Sequence, residues 1–175
     1  MGKTLLLTGR PGVGKTTVIM RAVRELDAEA GGFFTEEMRG EDGRRVGFRL
    51  VTLGGEEAVM AHVDLRGEGR PRVSRYGVDV EAIDRVGVEA LREATASGGV
   101  VLVDEIGKME LFSDAFKVAV VEAVESEARV LGTVMRGSRG WVEKLKEREE
   151  VRVWEVTREN RDGLPDEVVG WLREG

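Results

Sequence analysis

Residues Gly9-Arg10-Pro11-Gly12-Val13-Gly14-Lys15-Thr16 satisfy the pattern G-x-x-x-x-G-K-[ST] at every fixed position. They stand between an apolar run, KTLLLT at 3–8, and a stretch in which Val18, Ile19, Ala22, Val23 and Leu26 recur at helical spacing. That context predicts strand, loop, helix, and it restricts the fold more than any other feature of the chain. Glycines permit positive φ and close backbone approach, so successive N–H groups can turn inward and form an anion-binding nest at the positive end of the helix dipole. In that geometry Lys15 reaches the β and γ phosphates of a nucleotide and the Thr16 hydroxyl sits on magnesium. Thr17 continues the first turn; its hydroxyl and N–H suit an α-phosphate, and a threonine at a helix start also serves plain capping.

A loop of this kind needs a carboxylate partner, and the run Val100-Val101-Leu102-Val103-Asp104-Glu105 supplies one. Its unbroken apolar character is that of a strand covered by helices on both faces, hence a central strand. An aspartate at the C-terminal end of such a strand can receive the magnesium ion through its water shell. Glu105, one residue on, is the candidate base or orienting group for an attacking water, since phosphoryl transfer mostly requires positioning and charge stabilisation. An acidic strand end can also merely cap the next segment of chain. The phosphate loop upstream is the feature that favours chemistry.

Elsewhere the chain alternates strand and helix signals. GGFFTEEMR and RRVGFRLVTL flank Glu41-Asp42-Gly43, a hairpin signal, and EEAVMAHV adds a further strand. The glycine- and arginine-rich segment 64–77 reads as an exposed loop, and 79–97 as a helix capped by Asp79. Ser113 caps a helix over 114–126; the strand RVLGTV, a helix near 141–149, the strand VRVWEV and a terminal helix near 166–173 follow. The expected architecture is one α/β domain spanning 1–175, a mostly parallel central sheet flanked by helices, with an antiparallel hairpin region over 31–63 inserted after the first helix.

Composition removes alternatives. There is no cysteine, which excludes disulfides, thiolate catalysis and sulfur-ligated zinc. A formal net charge of −6 makes nucleic acid an unlikely partner, and no apolar stretch reaches the roughly 18 residues of a membrane span, so a cytoplasmic protein with no membrane partner is expected. Glutamine is absent and Asn160 is the sole asparagine, a composition like that of heat-adapted proteins. Thr133 at the end of RVLGTV could sense a γ-phosphate or be an ordinary strand residue. Arg136, Arg139 and Arg161 follow strands at the presumed ligand edge, where they could neutralise transition-state charge or simply be solvated. His62 lacks companion ligands, the methionines and Trp141, Trp154 and Trp171 read as packing residues, and Glu36 and Glu37 read as a hairpin's solvated face.

Beyond the generic loop, GRPGVGKTT at 9–17, GFFTEEMR at 32–39, GFRLVTL at 47–53, RYGVDVEAIDRVGVEAL at 75–91, VVLVDEIGKMEL at 100–111 and VTRENRDGLP at 156–165 together resemble the THEP1 nucleoside-triphosphatase family over nearly the whole chain. The resemblance implies a P-loop NTPase fold of the RecA/AAA+-like group. It also implies slow, Mg2+-dependent hydrolysis of ATP, GTP, CTP and UTP to diphosphate and phosphate, with broad base tolerance. By the same resemblance the nucleotide-binding stretches are 9–17 and Val101, Leu102, Val103, Asp104, Glu105, Ile106, Gly107 and Lys108; Asn160 and Arg161 match a family feature without an assigned role. The chain departs from many members after the Gly-Thr-hydrophobic step, where Met135 and Arg136-Gly137-Ser138-Arg139 replace a proline. Two other readings stay open: a small-molecule or nucleotide kinase, with 64–77 as a lid, and a nucleotide-operated switch with a protein or RNA partner.

Overall fold

The computed structural model describes residues 2–137 and 139–174; Ser138, part of the departing loop, lies outside the described residues, as do the two terminal residues. The apolar run before the phosphate loop forms β1 (Thr4–Thr8) and the periodic stretch after it forms α1 (Lys15–Leu26). Then come β2 (Ala30–Arg39), β3 (Arg45–Thr52), β4 (Glu57–His62), β5 (Arg72–Val73) and β6 (Tyr76–Val78). The helix read over 79–97 is continuous but not uniform: α2 (Val80–Ala82) passes through a wide π-helical stretch, Ile83–Val88, into α3 (Glu89–Ser97). Asp79 caps it as expected, its carboxylate accepting from the Ala82 N–H at 3.1 Å.

The second half continues with β7 (Val100–Ile106), α4 (Asp114–Glu125), β8 (Arg129–Val134), α5 (Trp141–Lys146), β9 (Val151–Glu155) and α6 (Leu164–Glu174). Ser113 caps α4 by accepting from the Phe116 N–H at 2.9 Å. All the strands join one sheet in the order β5-β6-β4-β3-β2-β7-β8-β1-β9. From β2 to β9 the neighbours are parallel; from β2 outward to β5 they are antiparallel. The hairpin region is therefore an extension of the central sheet.

Strand alternation divides the apolar side chains between two cores, as parallel strands buried on both faces require. Leu6, Val101 and Val103 face one side with the long helix, α4 and α5, where Phe33 and Phe116 pack with ring centroids 6.2 Å apart. Leu5, Leu7 and Leu102 face the other with α1 and α6.

Two details depart from the sequence expectation. The segment 64–77 is not wholly an exposed loop: its C-terminal part folds into the β5–β6 hairpin, Tyr76 is buried, and a Cβ at Gly77 would stand 1.8 Å from the Leu65 carbonyl oxygen. The turn, Ser74-Arg75, has Ser74 at φ 55 and lacks the Asn-Gly signal by which such hairpins are read. β2, expected only as a hairpin strand, pairs parallel with β7 over Ala30–Phe33 before pairing antiparallel with β3 over Phe33–Arg39.

The change of partner occurs at Phe33, just after Gly32, whose φ of 101 is open to glycine and where a Cβ would lie 2.0 Å from the Leu102 carbonyl oxygen. Gly32→Ala is expected to destabilise the fold by about 3 kcal/mol or more, since strain and backbone overlap coincide in the central sheet. Chemical denaturation measures it.

Candidate nucleotide-binding site

The phosphate loop closes on itself through a 3.1 Å bond from the Val13 N–H to the Arg10 carbonyl, with Gly12 at φ 75 and Gly14 at φ 112. Val13 turns its side chain into the core, anchoring the loop from beneath. α1 then begins with no side-chain cap. The first N–H groups of a helix have no intrahelical acceptor, so this end presents bare donors and a positive dipole end to whatever occupies the loop. The Lys15 ammonium folds back over the loop, donating to the Gly9 carbonyl at 2.9 Å and lying 3.9 Å from the Glu105 carboxylate.

β7 and β1 are separated by β8, and one carboxylate spans the gap. Asp104, 2% exposed, accepts from the Thr16 hydroxyl at 2.7 Å on one oxygen and from the Thr133 hydroxyl at 2.6 Å on the other. Burial raises its pKa, opposed by those two hydrogen bonds and by the charge of Lys15. Thr133, fully buried, thus acts as a support for Asp104. The donor set here is oxygen only, a hydroxyl and a carboxylate at one point, which fits a hard divalent cation that keeps most of its shell for water and phosphate. Among the described residues no group of three or more acidic, histidine or cysteine side chains forms a closed metal cage.

Glu105 is also raised in pKa by burial, with Lys15 lowering it and Asp104 raising it. A third carboxyl, Glu110, missed at the sequence level, lies 4% exposed in the same cleft. Burial pushes it up to about 8; backbone N–H groups of Glu110 and Gly107 oppose this, and the charges of Glu105 and Asp104 add to it. It belongs to the string DEIGKMEL, but only the turn after β7 folds it back beneath the acidic pair.

These groups line a cleft of 720 Å³. Gly9, Pro11, Gly12, Gly14, Lys15, Thr16 and Thr17 form one wall, and Asp104, Glu105 and Lys108 the floor. Val101, Leu102, Val103 and Ile106 are fully buried and pack into the two cores, so their side chains support the floor without lining the cleft; Arg10, Val13 and Gly107 do not line it either. The far wall comes from the antiparallel extension, with Thr35, Glu37, Arg45, Phe48 and Met60. None of those had a sequence signal for the cleft. Met60 is core-filling as read, buried at 2%, and also borders the cleft; Glu37 is exposed as a solvated face requires, and that face turns toward the cleft. His62 ends β4 and accepts from the Asp64 N–H at 3.1 Å.

Of the arginines following strands, Arg136 lines the cleft and faces Glu155 at 3.8 Å, whereas Arg139 lies outside it. Arg161 donates to the Val13 carbonyl at 3.2 Å, pinning the phosphate loop from the loop after β9. Asn160 builds that loop: its amide oxygen accepts from the Thr157 N–H and its amide nitrogen donates to the Glu155 carbonyl, each at 2.8 Å. Asn160 therefore shapes the loop from which Arg161 ties down the phosphate loop.

The sequence model of the NTPase family matches residues 4–169, a span that includes every element of this cleft. The chain belongs to this family. The nucleoside-triphosphatase THEP1 of Thermotoga sp. (strain RQ2) is 43% identical over 169 residues, covering 97% of this chain and 95% of its own. The human cancer-related nucleoside-triphosphatase is 40% identical over 187 residues, covering 97% and 96%. Among solved structures, THEP1 from the hyperthermophile Aquifex aeolicus superposes with a TM-score of 0.86 at 31% identity, covering 97% of this chain and 98% of that one. The fold is thus that of a P-loop NTPase, and the family resemblance read from DEIGKMEL and the flanking motifs holds. No helix among the described residues is long and apolar enough to cross a membrane.

Glu110 makes stability pH-dependent. Between its ordinary value of 4.5 and about 8 the folded chain holds a proton that the unfolded chain releases, so this contribution is fully present below about pH 4.5 and is lost as pH rises through the window. Glu110→Gln is expected to flatten the decline, as read from unfolding free energies in metal-free buffer at about pH 5 and about pH 9.

Proposed function

We propose that this NTPase-family member hydrolyses nucleoside triphosphates, among them ATP, GTP, CTP and UTP, to the diphosphate and phosphate, with Mg2+ and slow turnover. The observation that carries the reading is the meeting of Thr16 with Asp104 at 2.7 Å beside the Lys15–Glu105 pair, at an uncapped helix start. The names of the relatives support the activity class.

In this reading the loop N–H groups and Lys15 bind the phosphates, Lys15 moving from the Gly9 carbonyl to the β and γ oxygens. Thr16 and Asp104 would hold Mg2+, which when bound supplies positive charge against those oxygens. Glu105 orients the attacking water and accepts its proton; burial, which raises its pKa, brings it closer to the range where a base works near neutrality. Thr133 holds Asp104 in one rotamer. Slow turnover fits the two arginines in the cleft lining: Arg45 donates to Glu37 at 2.9 Å and Arg136 lies 3.8 Å from Glu155, so both charges are already engaged when transition-state charge develops.

Phosphate release from the four nucleotides with magnesium at elevated temperature tests the reading. Glu105→Gln is expected to lower kcat by about 10²-fold or more while nucleotide affinity changes by less than about threefold. Lys15→Ala is expected to lose both. Unchanged turnover in Glu105→Gln would remove that residue from the mechanism.

A second reading, phosphoryl transfer to an acceptor, draws on the far wall of the cleft, where Thr35, Phe48 and Met60 could border a second small molecule beyond Glu105. Under hydrolysis, phosphate and diphosphate form one to one in the absence of any acceptor. Product formation that appears only on adding nucleosides or sugars would replace the hydrolase with a kinase.

A further inference from the structure

At the outer end of the antiparallel extension a separate cleft of 630 Å³ opens between the β2–β3 turn, the segment after β4 and the β5–β6 hairpin. Its lining holds Arg44, Arg45, Arg66, Arg72 and Arg75, with Asp42 the sole carboxylate among them. In a chain of net charge −6 that concentration of positive charge requires a reason. Like charges gathered in one concavity repel, and low-dielectric walls strengthen the repulsion.

Carboxylates neutralise only part of the cluster. Arg45 is paired with Glu37, and Arg44 lies 3.7 Å from Asp42 with both side chains mostly exposed. Arg72 is held by neutral acceptors, donating to the Leu65 carbonyl at 3.4 Å and the Arg75 carbonyl at 2.8 Å. Arg75 donates to the Arg45 carbonyl and, at 3.3 Å, to the Tyr76 hydroxyl. Arg66 is exposed. Backbone oxygens thus fix guanidinium groups in place while leaving their charge unspent, which is how a preorganised anion site is made. The phenol of Tyr76 registers the field: burial raises its pKa, yet hydrogen bonds from Arg75 and Arg45 and their charges bring it below its ordinary value.

We infer that this cleft is a second anion site, distinct from the phosphate loop, which binds a compact ligand carrying two or more phosphate groups. The planar guanidinium fork matches phosphate oxygens two at a time, and several forks converging from three segments match several phosphates on one small body. The volume is that of a small-molecule pocket. A nucleic-acid strand would instead call for a stripe of positive charge with exposed aromatic platforms, and the aromatic ring beside this cluster, Tyr76, is buried. Arg45 lines both this cleft and the nucleotide cleft, so the two sites share a wall.

The test is calorimetric titration with inorganic tripolyphosphate in EDTA. Wild type is expected to bind two equivalents and Lys15→Ala one, the remaining affinity falling at least about tenfold on raising the salt from low to high. Adding Arg44→Glu and Arg66→Glu, both at exposed positions, should abolish binding to Lys15→Ala. The same pair placed in the wild-type background should keep its phosphate-loop equivalent and its nucleotide hydrolysis, which shows that the fold is intact. A single equivalent in wild type, or binding to Lys15→Ala that ignores the glutamates, overturns the site. A short single-stranded oligonucleotide that outcompetes tripolyphosphate there overturns the compact ligand in favour of a strand.

Discussion

Everything in the nucleotide cleft depends on one buried carboxylate held between two hydroxyls. Asp104 reaches from β7 past β8 to the first turn of α1, taking Thr133 on one oxygen and Thr16 on the other. A carboxylate this deeply buried is costly unless its lone pairs are satisfied. Satisfying them ties two adjacent strands, β7 and β8, and the helix start that follows the phosphate loop to one point. The loop can then be open above, with bare N–H groups, because it is fixed below by Val13 in the core and from the side by Arg161.

The same economy of charge runs through the acidic floor. Burial raises the pKa of all three carboxyls, Asp104, Glu105 and Glu110; Asp104 adds to the rise at Glu105, both add to it at Glu110, and Lys15 offsets the first two, with the Thr16 and Thr133 hydroxyls also opposing it at Asp104. Such a floor is poised for positive charge. Packing carries the rest: cores on both faces of the parallel sheet hold β7 and β1 rigid, so the tips of those strands keep their spacing without help from the loops.

The antiparallel extension has a different function in the architecture. Because β2 changes partner at Phe33, one continuous strand leads from the central sheet to the far wall of the cleft and on to the arginine cluster. Two cleft systems of opposite sign, an acidic floor and a basic outer pocket, are thereby linked through Arg45 and Glu37.

The order of residues alone dictates the phosphate loop, its strand and helix, the acidic end of β7, the caps at Asp79 and Ser113, and the alternation that builds the sheet. Each of these is a local pattern, a fixed spacing of glycines, a periodicity or a side chain reaching its own backbone, and local physics is legible in one dimension. Folding was needed to establish that Thr133 supports Asp104, that Glu110 lies under the acidic pair, that Glu37 and Met60 face the cleft, and that Val101 to Val103 serve the core. It also converted Asn160 and Arg161 from an unassigned string into a shaped loop and its tie to the phosphate loop. Those placements depend on strand order and register, which bring together residues that no spacing along the chain relates: 29 residues separate Thr133 from Asp104, and 148 separate Arg161 from Val13.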